Sequence, residues 1–158
     1  KSSVVRSMGR SAAGVRGIRL RDEDYVIGAA PLNPDSKVLV ISENGFGKQT
    51  PASEYPIKGR GGLGVKTVNV TAKNGPLVGL TTVNGDEDIM LVTDQGVIIR
   101  FDIESVSQTG RSAVGVHLIK MDNGARVATI AKVDKEVDEE TEEATNNSSQ
   151  EENQPTEN

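Results

Sequence analysis

Short apolar runs separated by polar turns fill residues 1–133, and none has the spacing of an amphipathic helix of useful length. Val38-Leu39-Val40-Ile41 leads into Ser42-Glu43-Asn44-Gly45, and Ile89-Met90-Leu91-Val92 leads into Thr93-Asp94-Gln95-Gly96. Runs of this length, rich in Val and Ile and closed by Asn, Asp or Gly, predict β-strands that end in tight turns. Asn44-Gly45 suits a hairpin because both residue types tolerate positive φ. Asn74-Gly75 and Asn123-Gly124 punctuate equivalent places further on. A second pattern alternates. Ile18 and Leu20, Val68 and Val70, and Ile119 and Met121 share one face, with Arg19, Asn69 and Lys120 opposite, as in a strand with one buried side.

These patterns recur at a fixed pitch. Gly9-Arg10-Ser11-Ala12-Ala13-Gly14-Val15-Arg16 aligns without gaps with Gly59-Arg60-Gly61-Gly62-Leu63-Gly64-Val65-Lys66 and with Gly110-Arg111-Ser112-Ala113-Val114-Gly115-Val116-His117. The spacings are 50 and 51 residues, and the two turn-closing runs are also 51 apart. In both units the turn glycine, Gly45 or Gly96, precedes the Gly-Arg pair by 14 residues. A strand-rich unit of about 50 residues matches a propeller-like blade of about four antiparallel strands. The expected fold class is therefore all-β. Residues 1–24 are read as the end of a preceding blade, 25–74 and 75–124 as two blades, and 125–133 as a final strand. Two and a half blades do not close a ring, so further blades are expected upstream of Lys1, and the open sheet edge is expected to be prone to aggregation.

Charge divides the chain differently. Residues 1–131 carry 16 Lys+Arg and 13 Asp+Glu, a balance of +3, whereas residues 132–158 carry 2 and 10, a balance of -8. From Asp134 onward only Val137 and Ala144 are apolar. Such a segment cannot bury enough surface to offset its chain entropy, so residues 134–158 are expected to be a disordered acidic tail. The tail either solubilises the chain or competes, as a tethered polyanion, for a basic surface. The absence of Cys excludes disulfides, thiolate-held zinc, iron–sulfur clusters and thiol nucleophiles. A single His, His117, excludes a multi-histidine metal site and most His-based triads. No apolar run approaches the length of a membrane span.

The candidate chemistry lies in the repeated loops. Gly59-Arg60-Gly61-Gly62-Leu63-Gly64 fits G-x-G-x-x-G, but Pro56 stands where a strand should lead in and the residues after Gly64 alternate as a strand rather than opening a helix. The sister loops replace the middle glycine by Ser11 and Ser112, which argues against a dinucleotide site. A Walker-type loop fails by one residue between Gly64 and Lys66. The loop glycines Gly9, Gly14, Gly59, Gly64, Gly110 and Gly115 are read as structural, serving tight connections. Arg10, Arg60 and Arg111 have no such structural need. A guanidinium beside exposed loop amides suits a phosphate oxygen. Arg16, Lys66 and His117 share the next basic register, although His117 reads more simply as a packed, neutral imidazole. With Lys48, Lys58 and Arg100, the phosphate-contact candidates are Arg10, Arg16, Lys48, Lys58, Arg60, Lys66, Arg100 and Arg111. Four aromatic residues, two Tyr and two Phe, are too few for the stacking platforms of single-strand binders, which favours duplex.

On these Gly-Arg blocks, on Ile89 to Gly96 with Val97-Ile98-Ile99-Arg100, and on their order and pitch, residues 1 to about 133 resemble the C-terminal domain of bacterial DNA gyrase A. The corresponding domain of topoisomerase IV is the close relative. The resemblance implies a β-pinwheel whose basic outer surface wraps double-stranded DNA, supporting ATP-dependent negative supercoiling by a cytoplasmic heterotetramer that includes a separate ATPase subunit. It implies no cofactor in this chain, ATP and Mg being used by the rest of the holoenzyme, and no membrane partner. The family's wrapping box is matched only in degenerate form by Gly59 to Lys66, with Leu63 where that box is basic. Tyr25, in Asp-Tyr-Val, and Tyr55, in Glu-Tyr-Pro, do not match the family's Arg-Tyr-Thr cleavage context, so no catalytic residue is expected here. The alternative class is a propeller that serves as a protein-interaction platform, and the chain carries neither the Trp-Asp nor the Kelch pattern of such rings. If the tail competes for the basic surface, a chain ending at Val133 binds duplex DNA more tightly than the whole chain. Equal affinities in a titration leave the tail a solubilising role only.

Overall fold

The computed structural model describes residues 5–121 and 124–135. The expected disorder of the acidic tail beyond Lys135 lies outside the described residues, as does Asn123 of the third Asn-Gly pair. The chain is all-β, and no α-helix occurs among the described residues. Its strands are β1 (Lys37–Ser42), β2 (Phe46–Pro51), β3 (Leu77–Val83), β4 (Glu87–Thr93), β5 (Ile98–Asp102), β6 (Val116–His117) and β7 (Val127–Asp134), with short 3-10 turns at Ala52–Glu54 and Ile103–Ser105. A four-stranded sheet has the order β3-β1-β2-β6 and a three-stranded sheet the order β5-β4-β7, with every neighbouring pair antiparallel.

Both sheets grow from the same local logic. The two turn-closing runs form the hairpins β1–β2 and β4–β5. Gly45 N–H donates to Ser42 O at 3.0 Å and Gly96 N–H to Thr93 O at 3.1 Å, with φ of +77° and +80° at the two glycines. A third strand then pairs with the free side of β1 or β4. These outer strands, β3 and β7, break register at the same place, opposite Ile41/Ser42 and Val92/Thr93. Strands β1–β3 lie within 37–83 and the second sheet within 87–134, later along the chain than the windows 25–74 and 75–124 read from the repeat; β3 falls in the second window, and the first sheet takes its fourth strand, β6, from Val116–His117. The repeat sets the period, but which strands share a sheet depends on long-range pairing.

Leu39 and Ile41 of β1 meet Val83, Ile89, Leu91, Ile103, Val106 and Val127 in one core shared by both sheets, with Phe101, Leu118, Ile119 and Ile130 packed around it. Burying a Leu or Ile side chain in such a core contributes on the order of 1.5–3 kcal/mol. Gln49 also reaches inward. Its Nε2 donates to Ile103 O at 2.7 Å and Val106 O at 2.8 Å, fastening the second 3-10 turn to β2.

The alternating segments after the Gly-Arg loops are not the half-buried strands their pattern predicts. Ile18 makes an isolated bridge to Gly62, Val68–Val70 is irregular, and Ile119–Met121 is irregular too, following the two-residue strand Val116–His117 on the edge of β2. A strand needs a partner edge, and among the described residues the edge of β2 is paired only as far as His117, just before the third segment. Ile18, Leu20 and Val70 are accordingly exposed, and Val68 alone of the first two segments is buried.

The third segment packs so closely on the first hairpin that side chains there are excluded. A Cβ on Gly45 would lie 2.6 Å from Ile119 O, whereas one on Gly96 would meet nothing within 4 Å. Both glycines need positive φ. Gly96→Ala is thus expected to cost about 1 kcal/mol in strain and Gly45→Ala clearly more, measured as the shift of the urea midpoint at unchanged slope.

Candidate nucleic-acid interface

The Gly110–Gly115 loop exists because of the edge of β2. Two stretches of the chain satisfy that edge in turn. Gln49 N–H donates to Ser107 O at 3.1 Å and Thr109 N–H to Gln49 O at 2.9 Å; further along, β6 pairs Val116 with Gly47 and His117 with Phe46. The residues between the two attachments have no edge to join and are pushed outward as a loop, closed by Ala113 N–H donating to Gly110 O at 3.2 Å. Gly115 has φ of +96°, and a Cβ there would lie 2.7 Å from Gly47 O. Gly14 and Gly64 share that positive φ, but Gly9, Gly59 and Gly110 do not.

The three loops are linked in sequence. Gly61 N–H donates to Gly17 O at 2.9 Å and Arg19 N–H to Gly62 O at 2.9 Å, so the second loop lies on the segment that follows the first. Arg111 Nη1 donates to Lys66 O at 3.0 Å, so the third loop lies on the segment that follows the second. Asn74 reinforces this second junction from a buried position. Its Oδ1 accepts from Thr71 N–H at 2.7 Å, and its Nδ2 donates to Asn69 O at 3.0 Å and to Val114 O at 3.5 Å. Side chains at the Arg10/Arg60/Arg111 register and at the Arg16/Lys66/His117 register are thereby brought into neighbouring loops.

The cations divide into two populations. Four on or beside the sheets are paired with carboxylates, as is Arg21 with Asp24 at 2.9 Å. Arg100 Nε lies 2.7 Å from Asp88 Oδ2, Arg126 Nη1 2.7 Å from Glu43 Oε1, Lys132 Nζ 3.2 Å from Glu87 Oε1 and Lys135 Nζ 3.0 Å from Asp102 Oδ2. On the loop surface Arg10, Arg16, Lys58 and Arg60 are exposed, and their side chains make no hydrogen bond or ion pair with the described residues. Lys66 is exposed as well, with only a long 3.4 Å contact to Asn69 Oδ1. Arg19 and Lys120 join this population, and their register as the polar face of the alternating segments was the sequence signal for them.

Two of the sequence candidates, Arg100 and Lys48, have other employment, and the backbone of a third, Arg111, is anchored. Arg100 is held by Asp88 and donates to Asp134 O at 3.0 Å. Arg111 is half-buried, and its backbone N–H donates to Glu54 Oε2 at 3.0 Å. Lys48 is wholly buried, with no surface to offer a phosphate, and its Nζ donates to Gly110 O and Arg111 O at 2.6 Å each. Burial pulls its pKa below the ordinary lysine value, with Glu54 opposing and Arg111 adding to the shift. His117 is exposed and lies against the Phe46 ring, centroids 3.8 Å apart, rather than buried as a packed imidazole.

Comparisons with known proteins follow the same outline. The family model described as the DNA gyrase C-terminal domain, beta-propeller, matches residues 1–33, 36–84 and 87–134. The second and third stretches carry the strands β1–β3 and β4–β7. The chain is 51% identical over 138 residues to the A subunit of DNA gyrase from Staphylococcus epidermidis and 49% identical over 139 residues to that from Staphylococcus aureus, covering 86% and 87% of this chain. It spans 16% of the length of each of these relatives. Among solved structures, a DNA gyrase A C-terminal domain superposes with a TM-score of 0.76 at 28% identity, over 84% of this chain and 45% of that one. The C-terminal domain of DNA topoisomerase IV superposes at 0.78 with 23% identity, over 94% and 46%, a likeness of fold.

The two populations should separate in stability measurements. Arg60→Ala is expected to leave stability within about 0.5 kcal/mol. Glu87 is the contrasting case. Burial pushes its carboxyl up, but hydrogen bonds from the Asn84 and Gly85 amides, at 2.9 and 3.0 Å, and the Lys132 ammonium outweigh this and hold it below the usual range. A depressed carboxylate stabilises the fold above its unfolded pKa, and that contribution disappears as pH falls through the folded pKa. Glu87→Gln is therefore expected to lower stability at neutral pH by roughly 1–3 kcal/mol and to flatten the acid limb of a stability-against-pH curve.

Proposed function

We propose that this chain, which belongs to the family of the DNA gyrase C-terminal domain, binds duplex DNA along its linked Gly-Arg loops and bends it. The observation that carries the reading is the distribution of charge: Arg10, Arg16, Lys58 and Arg60 on the loop surface have no carboxylate partner among the described residues, while Arg100, Arg126, Lys132 and Lys135 on or beside the sheets are each paired with one. A surface that wraps DNA needs no base readout. It must place cations along the phosphate path and release counterions. Bending 20–30 base pairs by 40–90° costs on the order of 1–6 kcal/mol, an amount that several modest Lys and Arg contacts offset together. The balance of +3 over residues 1–131 understates this surface, because it averages the free loop cations with the neutralised sheet cations.

Within the larger enzyme, the wrapped segment would give strand passage its direction and so support ATP-dependent negative supercoiling. The partners on this reading are double-stranded DNA, the rest of the gyrase A polypeptide and the ATPase subunit, with ATP and Mg acting there and the complex residing in the cytoplasm. The half-identical relatives are gyrase polypeptides, which favours gyrase over topoisomerase IV. No helix among the described residues is long and apolar enough to cross a membrane.

Binding to a random-sequence duplex is expected to weaken steeply between about 50 and 200 mM salt. Replacing Arg10, Arg16, Lys58 or Arg60 by alanine should each lower the slope of log affinity against log salt by about one. Replacing Arg126, which is paired with Glu43, should leave the slope unchanged. A salt-independent affinity overturns the proposal.

A further inference from the structure

We propose that Lys48 and Glu54 are positioning residues that hold Arg111 ready for a phosphate, an inference that rests on reading the loops as the DNA surface. Lys48 projects from β2 between the two points where the partner segment joins that edge, directly beneath the loop that segment throws out. Its ammonium, without solvent exposure, donates to the carbonyls of Gly110 and Arg111. An ammonium stripped of water is tolerable when carbonyl oxygens replace the lost hydration. Glu54, at the end of the 3-10 turn after β2, accepts the Arg111 backbone N–H. A buried cation and a surface anion thus grip successive peptide groups of one loop.

The consequence falls on the Arg111 side chain. Of its five N–H donors, one bonds Lys66 O, and no other hydrogen bond to the described residues engages the guanidinium. The group borders a cleft of about 280 Å³ lined by Glu54, Lys66, Gly110, Arg111 and Ser112. A phosphate there would find a guanidinium, an ammonium and a hydroxyl together. Glu54 is the anomaly, since a carboxylate beside a phosphate repels it. Its bond to the loop accounts for its presence. Among the described residues no side chain braces the Gly59–Gly64 loop in this way, and it is held by the backbone bonds Gly61 to Gly17 and Arg19 to Gly62.

The sign of one substitution separates positioning from plain electrostatics. Glu54→Ala removes a negative charge from the cleft, so charge alone predicts tighter DNA binding. Positioning predicts binding weaker by roughly three- to tenfold, the worth of one lost hydrogen bond. It also predicts recovery in Glu54→Gln, whose amide oxygen can accept the same bond. The experiment measures affinity of the whole chain and both variants for a labelled duplex, together with hydrogen exchange at the Arg111 amide. Exchange should quicken in Glu54→Ala and return to the parent rate in Glu54→Gln. Glu54→Ala binding as tightly as the parent, or more tightly, overturns the inference and leaves the proposed function standing. A parent chain that retains no DNA at low salt overturns both.

Discussion

The edge of β2 is the constraint from which the candidate interface follows. A sheet edge carries backbone donors and acceptors that must find partners. Here they find them in residues far along the chain, first at Ser107 and Thr109 and then at Val116 and His117. Because the two attachments are separated by a stretch with no edge to join, the Gly-Arg loop is a by-product of satisfying β2. Leu118 packs against Gly47 and Ile119 against Gly45, so the same attachment also closes one side of the core.

That constraint explains how far the sequence could be read. Hairpins were legible because their signals are local: an apolar run, a turn glycine and a second run, repeated 51 residues later. The phase of the repeat was not. The partner of β1 is β3, more than thirty residues downstream, and no local pattern says whether Leu77–Val83 closes the sheet before it or opens the next. The alternating segments mislead for a related reason. Alternation records which residues one face would bury if a strand formed, but only Val116–His117 meets an edge, and Ile18 and Leu20 stay exposed.

Among the candidate cations, burial and pairing decide which remain available to a phosphate. Arg10, Arg16, Lys58, Arg60 and Lys66 lie in loops rich in glycine, where a long charged side chain has nothing to pack against. Lys48 sits in Phe46-Gly47-Lys48-Gln49-Thr50, a polar-looking strand that is buried throughout. Composition gave no hint of this, since the groups that satisfy Lys48, Gln49 and Asn74 are backbone carbonyls contributed largely by distant loops. Arg100 was indistinguishable by sequence from a free arginine, because Asp88 faces it only across the β4–β5 pairing, with Asp88 opposite Asp102 and Met90 opposite Arg100.

The repeat register also shows that similar loops need not be equivalent. Ile99 of β5 stands where Lys48 stands in β2, each three residues beyond its turn glycine. An isoleucine there cannot chelate loop carbonyls, so the bracing seen under Gly110 and Arg111 is not a general property of the unit. It belongs to one sheet. For a surface proposed to follow a curved duplex, that difference matters. A braced arginine would meet a phosphate at little conformational cost but tolerate little error in position, whereas Arg10 and Arg60, on loops that only backbone bonds hold among the described residues, would adjust at the expense of ordering. On the proposed reading, one fixed contact among several adaptable ones would set the register of DNA on the protein without demanding that every phosphate fall in a preset place.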